Sequence, residues 1–380
     1  MEKNIKVIIG ANYGDEGKGL VTRYFAKEAE NPIVIFHNGT AQRGHTVDYN
    51  PHFRHVYHHF NSGTADGAPT FFAKTFWLHP MEFRREWNEL AAAGITPKCY
   101  CDFEAMVVTP FDMLIDHATE AYITWDHQEP EHGSCGYGTW CATDRYPIAT
   151  YSITEYIDAI ENNTIKILLE DVYATCISML HMRAVDLDKI PEYKKFFEHS
   201  RVITTMDHFI NDLKFFYNNV ILTHFDTMYN KFSNIIFENG QGLGLDQTFG
   251  DNWHTTSNTG MTNIYQMLDG KQDFKANVYY VTRSYTTRHG IGNMENETAK
   301  HTINNDMIDK TNVPNEFQGS LRYGFPEDKN MERRITYDYL LAEKDSRFNK
   351  NLVVTHCNEF PNPFADAAYV SNNPYTLYRV

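Results

Sequence analysis

The chain has 380 residues, a formal net charge of −15 and a hydrophobic fraction of 42%. That acidity predicts no general nucleic-acid binding, which needs a basic face, and no apolar run approaches the ~20 residues of a membrane-spanning helix. No repeat, low-complexity tract or linker interrupts it, so a single catalytic domain over 1–380 is expected, as in many large α/β enzymes.

The six cysteines, Cys99, Cys101, Cys135, Cys141, Cys176 and Cys357, show neither CxxC nor paired Cys/His spacing. They predict free thiols in a reducing cytosol. The chain enters its first strand at once, which leaves no room for a signal peptide. The expected location is cytoplasmic.

Ile5 to Ile9 reads as a buried strand, and Leu20 to Ala29 has apolar residues at helical spacing. Between them lies the glycine-rich turn Gly10-Ala11-Asn12-Tyr13-Gly14-Asp15-Glu16-Gly17-Lys18-Gly19. Such a turn leaves backbone N–H groups free at a helix N-terminus, where they favour an anion. Lys18 adds a mobile positive charge. Asp15 and Glu16 repel phosphate, so a carboxylate here suggests a metal ligand or a proton acceptor. The turn is not a Walker A loop: Asn12 stands where that motif needs Gly, and Gly19 where it needs Ser or Thr.

Val34 to Phe36 predicts a second strand, followed by the turn Asn38-Gly39-Thr40-Ala41-Gln42-Arg43-Gly44-His45-Thr46-Val47. The unperturbed pKa of histidine suits acid work near neutral pH, which makes His45 a catalytic candidate. His52, His55, His58 and His59 follow closely. No carboxylate or cysteine sits among them, so they read as alternating strand residues rather than a metal site. Met81 to Ala93 predicts a helix that Gly94 stops.

Val107 to Ile115 reads as a strand that continues into a helix over Asp116 to Ile123. A third glycine-rich loop follows, His132-Gly133-Ser134-Cys135-Gly136-Tyr137-Gly138, with Arg145 as the nearest cation. Cys135 would be a reactive nucleophile at an electropositive site, or a small residue that fills space. Thr154 to His199 and Met206 to Asn218 read as helices without visible chemistry. The strand Ile235 to Glu238 runs into Asn239-Gly240-Gln241-Gly242-Leu243-Gly244-Leu245-Asp246. Thr255-Thr256-Ser257-Asn258-Thr259 then reads as an N-cap cluster before a helix over Met261 to Leu268. Val278 to Val281 and Leu352 to Thr355 are further strands, the latter leading to His356-Cys357-Asn358.

These motifs, in this order, resemble the adenylosuccinate synthetase family. Gly14 to Gly19 matches its opening Gly-Asp-Glu-Gly-Lys-Gly turn, and Gly44-His45-Thr46 its Gly-His-Thr. Gln241, Gly242, Leu245 and Asp246 match a Gln-Gly-x-x-Leu-Asp segment, and Thr255 to Thr259 resembles Thr-Ser-Ser-Asn-Thr. Arg283 to Gly292 resembles Tyr-Ser-Thr-Arg-Val-Gly-x-Gly, with His289 in place of Val. Asn315-Glu316-Phe317 matches Asn-Glu-Phe. The islands span nearly the whole chain.

The resemblance implies a large, mostly parallel twisted sheet flanked by helices, related to P-loop folds. Its strand ends would form one crevice, as in other doubly wound sheets. It also implies a homodimer and a Mg²⁺-dependent reaction. L-Aspartate is joined to C6 of a 6-oxopurine nucleotide while ATP or GTP is cleaved to diphosphate and phosphate.

On the same footing, Asp15 is the base and His45 the stabiliser of the transferred phosphoryl group. Gly14, Glu16, Gly17, Lys18, Gly19 and Thr46 hold the triphosphate, and Asp15 with the Gly44 carbonyl holds the metal. Gln42, Ser134, Cys135, Arg145, Gln241, Thr255 and Thr256 hold the purine monophosphate, with Arg145 reaching a partner subunit. Ser320 and Arg322 take aspartate. Asn358 and His356 replace the Asp and Lys that read the donor base.

IMP is the favoured acceptor because Asp15 is retained; a phage branch of the family uses dGMP. A nucleotide-binding protein without catalysis, and a P-loop NTPase or kinase, are the competing expectations.

Overall fold

The computed structural model describes residues 2–127, 134–250, 253–307, 309, 312 and 319–380. The segment Lys3–Gly10 (β1) lies at the centre of the main sheet. Val7, Ile8 and Ile9 are fully buried, the continuous apolar run of a parallel strand covered on both faces. Ile5, Val7 and Ile9 belong to one apolar cluster, whereas Ile8 packs with Val21 and Phe25 of the first helix, Lys18–Glu28 (α1).

The remaining strands are Pro32–Phe36 (β2), His45–Asn50 (β3), Phe53–Tyr57 (β4), Thr70–Phe72 (β5), Cys99–Cys101 (β6), Ile221–Leu222 (β7) and Asn234–Glu238 (β8). They continue with Phe274–Arg283 (β9), Thr286–Arg288 (β10), Glu297–Thr298 (β11), Arg322–Gly324 (β12), Phe348–Thr355 (β13), Ala367–Val370 (β14) and Tyr378–Arg379 (β15). Among the described residues, ten of them form one sheet in the order β15-β14-β13-β9-β1-β8-β2-β5-β6-β7. Every pairing is parallel except β14 with β15. The expected large, mostly parallel sheet with flanking helices is thus present. Because β1, β2, β8, β9 and β13 point the same way, their following turns gather along one edge, where ligands of such sheets bind.

Helices Pro80–Ala92, Pro110–His127, Ile153–Glu161, Ile165–Met182 and His199–Asn219 bury a second apolar cluster with Phe36, Phe72 and Phe76. The predicted strand over Val107 to Ile115 does not form. Val107 makes one bridge to Leu78, and the helix begins at Pro110, whose fixed φ and missing N–H suit a first helical turn. Of the four neighbouring histidines, only His55 lies on β4. His58 and His59 lie beyond it and present their backbone N–H groups to buried Glu86 at 3.0 and 2.5 Å. The Thr255–Thr259 cluster does not cap the helix Thr262–Met267, whose N-cap is Met261 with no side-chain bond. Instead Thr259 donates its N–H to Asp246 at 2.6 Å.

Candidate active site

The first turn folds around one of its own carboxylates. Glu16 Oε1 accepts the N–H groups of Asn12 at 3.0 Å and Gly14 at 2.8 Å, and Oε2 takes Lys18 Nζ at 3.0 Å. A Cβ at Gly10 would collide with this carboxylate, so glycine is required there. The anion nest expected for phosphate is therefore filled by Glu16. Lys18, read as mobile from sequence, is only 3% exposed and fixed by Glu16. Gly17 has φ 89° and caps α1 without a side chain, which leaves the helix N-terminus free of a side-chain cap.

Asp15 adopts φ 60°, an uncommon conformation for a non-glycine residue. Arg283 Nε donates to its carbonyl at 2.6 Å. Its carboxylate stays partly exposed, 3.7 Å from His289 Nε2.

The second turn meets the first at Gly19. A Cβ there would sit 2.8 Å from the Thr46 carbonyl oxygen and 3.3 Å from the His45 Cβ. His45 Nδ1 lies 2.6 Å from Oε1 of Glu238, a fully buried carboxylate that also takes the Ser62 N–H at 3.1 Å and the Ser62 hydroxyl. Burial lowers the His45 pKa to about 4 despite Glu238, with Lys18 and Arg43 adding to the fall. The ring is neutral at pH 7. The sequence marks Glu238 only as the end of a strand; its one signal is an acidic side chain closing an apolar run.

The monophosphate candidates divide into those that converge and those that do not. Gln42 Oε1 accepts from the Thr40 N–H at 2.7 Å and from the Thr139 hydroxyl at 3.2 Å. A Cβ at Gly39 would lie 3.2 Å from both Gln42 Nε2 and Gln241 Oε1, so both amides border that turn. Thr143 donates to Thr256 Oγ1 at 2.9 Å, and Thr255 lies beside it, its N–H donating to Leu245 O at 2.9 Å. Thr139 and Thr143 were not singled out from sequence.

Ser134, in contrast, donates its hydroxyl to buried Asp116 at 3.2 Å. The Cys135 thiol is pushed up to about 12 by burial, which removes it as a thiolate nucleophile. Arg145 corrects the expectation of a cross-subunit contact. It is 1% exposed, and its guanidinium is spent on Asp112 at 2.7 and 3.1 Å and on the carbonyls of Val107 and Ala149. Residues His132 and Gly133 of the third loop lie outside the described residues, as do Asn315 to Phe317.

Arg322 makes a fork to Glu297, with Nε 2.8 Å from Oε1, and gives Nη1 to the carbonyls of Gly290 and Gly292 at 3.0 and 2.8 Å. A dicarboxylate would compete with Glu297 for it. Ser320 is exposed nearby. The guanidinium groups of Arg288 and Arg334 lie 4.4 and 4.5 Å from the ring centre of Tyr13. At the end of β13, Thr355 donates to the Glu16 carbonyl at 2.7 Å, so the segment that carries His356 and Asn358 starts from the first turn. His356 has φ 60°, and Asn358 is exposed.

A sequence model of the family described as adenylosuccinate synthetase matches residues 7–318. The chain belongs to the adenylosuccinate synthetase family. Adenylosuccinate synthetase of Clostridium perfringens is 26% identical over 312 residues, which cover 77% of this chain and 66% of that protein. The Petrotoga mobilis protein of the same name is 29% identical over 293 residues, 75% of this chain and 64% of that one. The chain thus spans about two thirds of the length of these relatives.

Two solved structures share the fold. The fully ligated adenylosuccinate synthetase from Plasmodium falciparum superimposes with a TM-score of 0.65 and 17% identity, covering 93% of this chain and 77% of that one. Cyanophage S-2L succinoaminodeoxyadenylate synthetase, bound to dGMP and to dATP as an energy donor, gives 0.64 and 14%, covering 100% of this chain and 96% of that one.

Proposed function

We propose that this family member is a C–N ligase. It joins L-aspartate to C6 of a 6-oxopurine nucleotide while a nucleoside triphosphate is cleaved to diphosphate and phosphate. The observation that carries the reading is the meeting of the two glycine-rich turns, with Asp15 in one and the Glu238-bound His45 in the other.

The chemistry follows from the acceptor. A purine 6-oxo group leaves poorly until it is phosphorylated. Asp15, partly exposed on a fixed backbone, takes the N1 proton so that O6 becomes nucleophilic. His45, oriented by Glu238 through Nδ1–H, stabilises charge on O6 and on the moving phosphoryl group by donating from Nε2, once the phosphate charge beside it has drawn a second proton onto the neutral ring. Gly17, Lys18, Gly19 and Thr46 line the triphosphate, and Gln42, Gln241, Thr255 and Thr256 the monophosphate. Ser320 and Arg322 remain the proposed aspartate residues, with Glu297 yielding the Arg322 fork to the incoming dicarboxylate.

Among the described residues no cluster of three His, Cys, Asp or Glu suited to a metal occurs. The donor set still fits Mg²⁺, which commonly takes one or two carboxylates with the substrate phosphates. Asp15 and the carbonyl of Gly44, an exposed residue, would hold it. When bound, the ion neutralises phosphate charge.

IMP is the proposed acceptor because Asp15 is retained. The second reading, dGMP, draws on the near-equal length of this chain and its cyanophage neighbour. A homodimer is proposed on the family likeness. Among the described residues no helix is long and apolar enough to cross a membrane.

The test is incubation with Mg²⁺, aspartate, ATP or GTP, and IMP or dGMP, followed by mass spectrometry of the nucleotide. A succinylated product from IMP is expected. Product from dGMP alone would establish the second reading, and no product from either would overturn the ligase.

A further inference from the structure

Arg43 sits in the second turn, two residues before His45, and no step of the proposed reaction uses it. It is 2% exposed. Its Nη2 donates to the Asn38 carbonyl at 2.5 Å and its Nη1 to the Glu238 carbonyl at 3.0 Å. The guanidinium lies over the Phe36 ring, 3.9 Å from its centre, and 5.2 Å from that of Phe76. Nε is buried without a hydrogen-bond partner, and among the described residues Arg43 makes no ion pair.

Such a placement is costly. A buried cation held only by neutral groups loses its hydration without a full return. Burial lowers even this guanidinium to about 10, although Glu238 and Glu86 oppose the fall. The surroundings are also shaped to admit it. A Cβ at Gly240 would lie 3.2 Å from Nη2, so the glycine that follows β8 leaves the guanidinium its room.

The two carbonyls explain what the charge does. Asn38 follows β2, and its side chain binds Gly240 and Ser257. Glu238 ends β8, and its carboxylate holds His45. Arg43 therefore ties the turn after β2 to the end of β8 at one edge of the sheet, and its anchor on the Glu238 backbone fixes the carboxylate that orients His45.

We propose that Arg43 is a positioning residue that sets the His45–Glu238 couple, so that the couple's geometry depends on a buried guanidinium rather than on turn packing alone. The inference rests on the proposed ligase reading for its rate effect, but its geometric part is tested without turnover.

Two variants are compared with the parent, R43M, which keeps bulk without donors, and R43K, which keeps charge and donors without the planar fork. In the parent, ¹⁵N-histidine NMR should show a low-field Nδ1–H signal that disappears in H45N. In folded R43M that signal should move or broaden, and R43K should restore it in part. In turnover, R43M should lose kcat by about a hundredfold with KM changed less than about threefold, the pattern of a lost transition-state interaction.

A parent-like signal in a folded R43M would overturn the proposal whether or not the parent is a ligase. If R43M does not fold, R43K decides: an Nδ1–H signal and kcat identical to the parent's would show that any buried cation suffices and would overturn the role of the fork.

Discussion

Nδ1 of His45 lies 2.6 Å from Oε1 of Glu238, and the carboxylate is wholly inaccessible to solvent. A short contact to a buried acceptor fixes one ring nitrogen and aims the other, so the pair acts as a unit in the way that a general acid–base residue and its orienting group do. Two strand ends, after β2 and at β8, are needed to make it.

The first prediction is that His45→Ala cripples turnover while nucleotide binding is less affected, and that Glu238→Gln has a similar effect of about 10²-fold on kcat. The amide keeps an acceptor for His45 Nδ1 but loses the charge, and its NH₂ faces the Ser62 N–H. A defect confined to KM in either variant would make the pair a binding element instead.

Asp15→Asn should lower the rate by ~10²–10⁴-fold, the usual loss of a positioned base. The fold should survive, because the Asp15 backbone, not its carboxylate, carries the bond from Arg283. Circular dichroism checks the fold and product formation checks the rate. Activity within a few-fold of the parent would remove Asp15 from the mechanism.

A third prediction concerns stability. Asp338 accepts the Met261 N–H at 2.7 Å and the Tyr280 hydroxyl at 2.8 Å. Burial nonetheless pushes its carboxyl up to about 7, with the Asp246 carboxylate contributing. The ordinary value is about 3.9. Between about pH 4 and 7 the folded protein keeps a proton that the unfolded chain has released. The folded pKa is the raised one, so the contribution is fully present below about pH 4 and is lost as pH rises to about 7, roughly 4 kcal/mol across the window. Asp338→Asn cannot titrate. The difference in Tm between D338N and the parent should therefore rise from pH 5 to pH 8, and a difference independent of pH would exclude the assignment.

The sequence made the sheet legible because buried parallel strands are continuous apolar runs, and the turns because glycine and histidine interrupt them. Gln42, Gln241 and Thr256 were legible as motif residues, and the fold brings them to one edge. Chain order did not reveal which partners the polar groups would find in the fold. Glu16 turns inward because two N–H groups and Lys18 offer it more than solvent does. Arg145 turns inward because Asp112, on a helix that starts at an unforeseen position, is waiting for it. Glu238 was hidden because one carboxylate at a strand end has no spacing to recognise.

The last prediction concerns the phosphoryl donor. Guanine presents N1–H and N2–H₂ donors, which a carboxylate accepts together; adenine presents an acceptor at N1 and a donor at N6, which an amide can match. Asn358 places an exposed amide at the end of β13. The nearby carboxylate that could read guanine instead, Glu359, accepts the Tyr285 hydroxyl, which Arg283 Nη1 holds in turn at 2.8 Å. Nor does His356 supply the charge of the lysine whose position it takes, since burial lowers its pKa well below the usual range and Thr355 Oγ1 lies 2.8 Å from its Nδ1. ATP should therefore serve at least as well as GTP, and Asn358→Asp should shift preference towards GTP by making that position acceptor-only. The measurement is kcat/KM for both donors in both proteins. A parent preference for GTP above about tenfold, ~1.4 kcal/mol of discrimination, would sink the amide argument and require Glu359 to leave Tyr285 when the nucleotide binds.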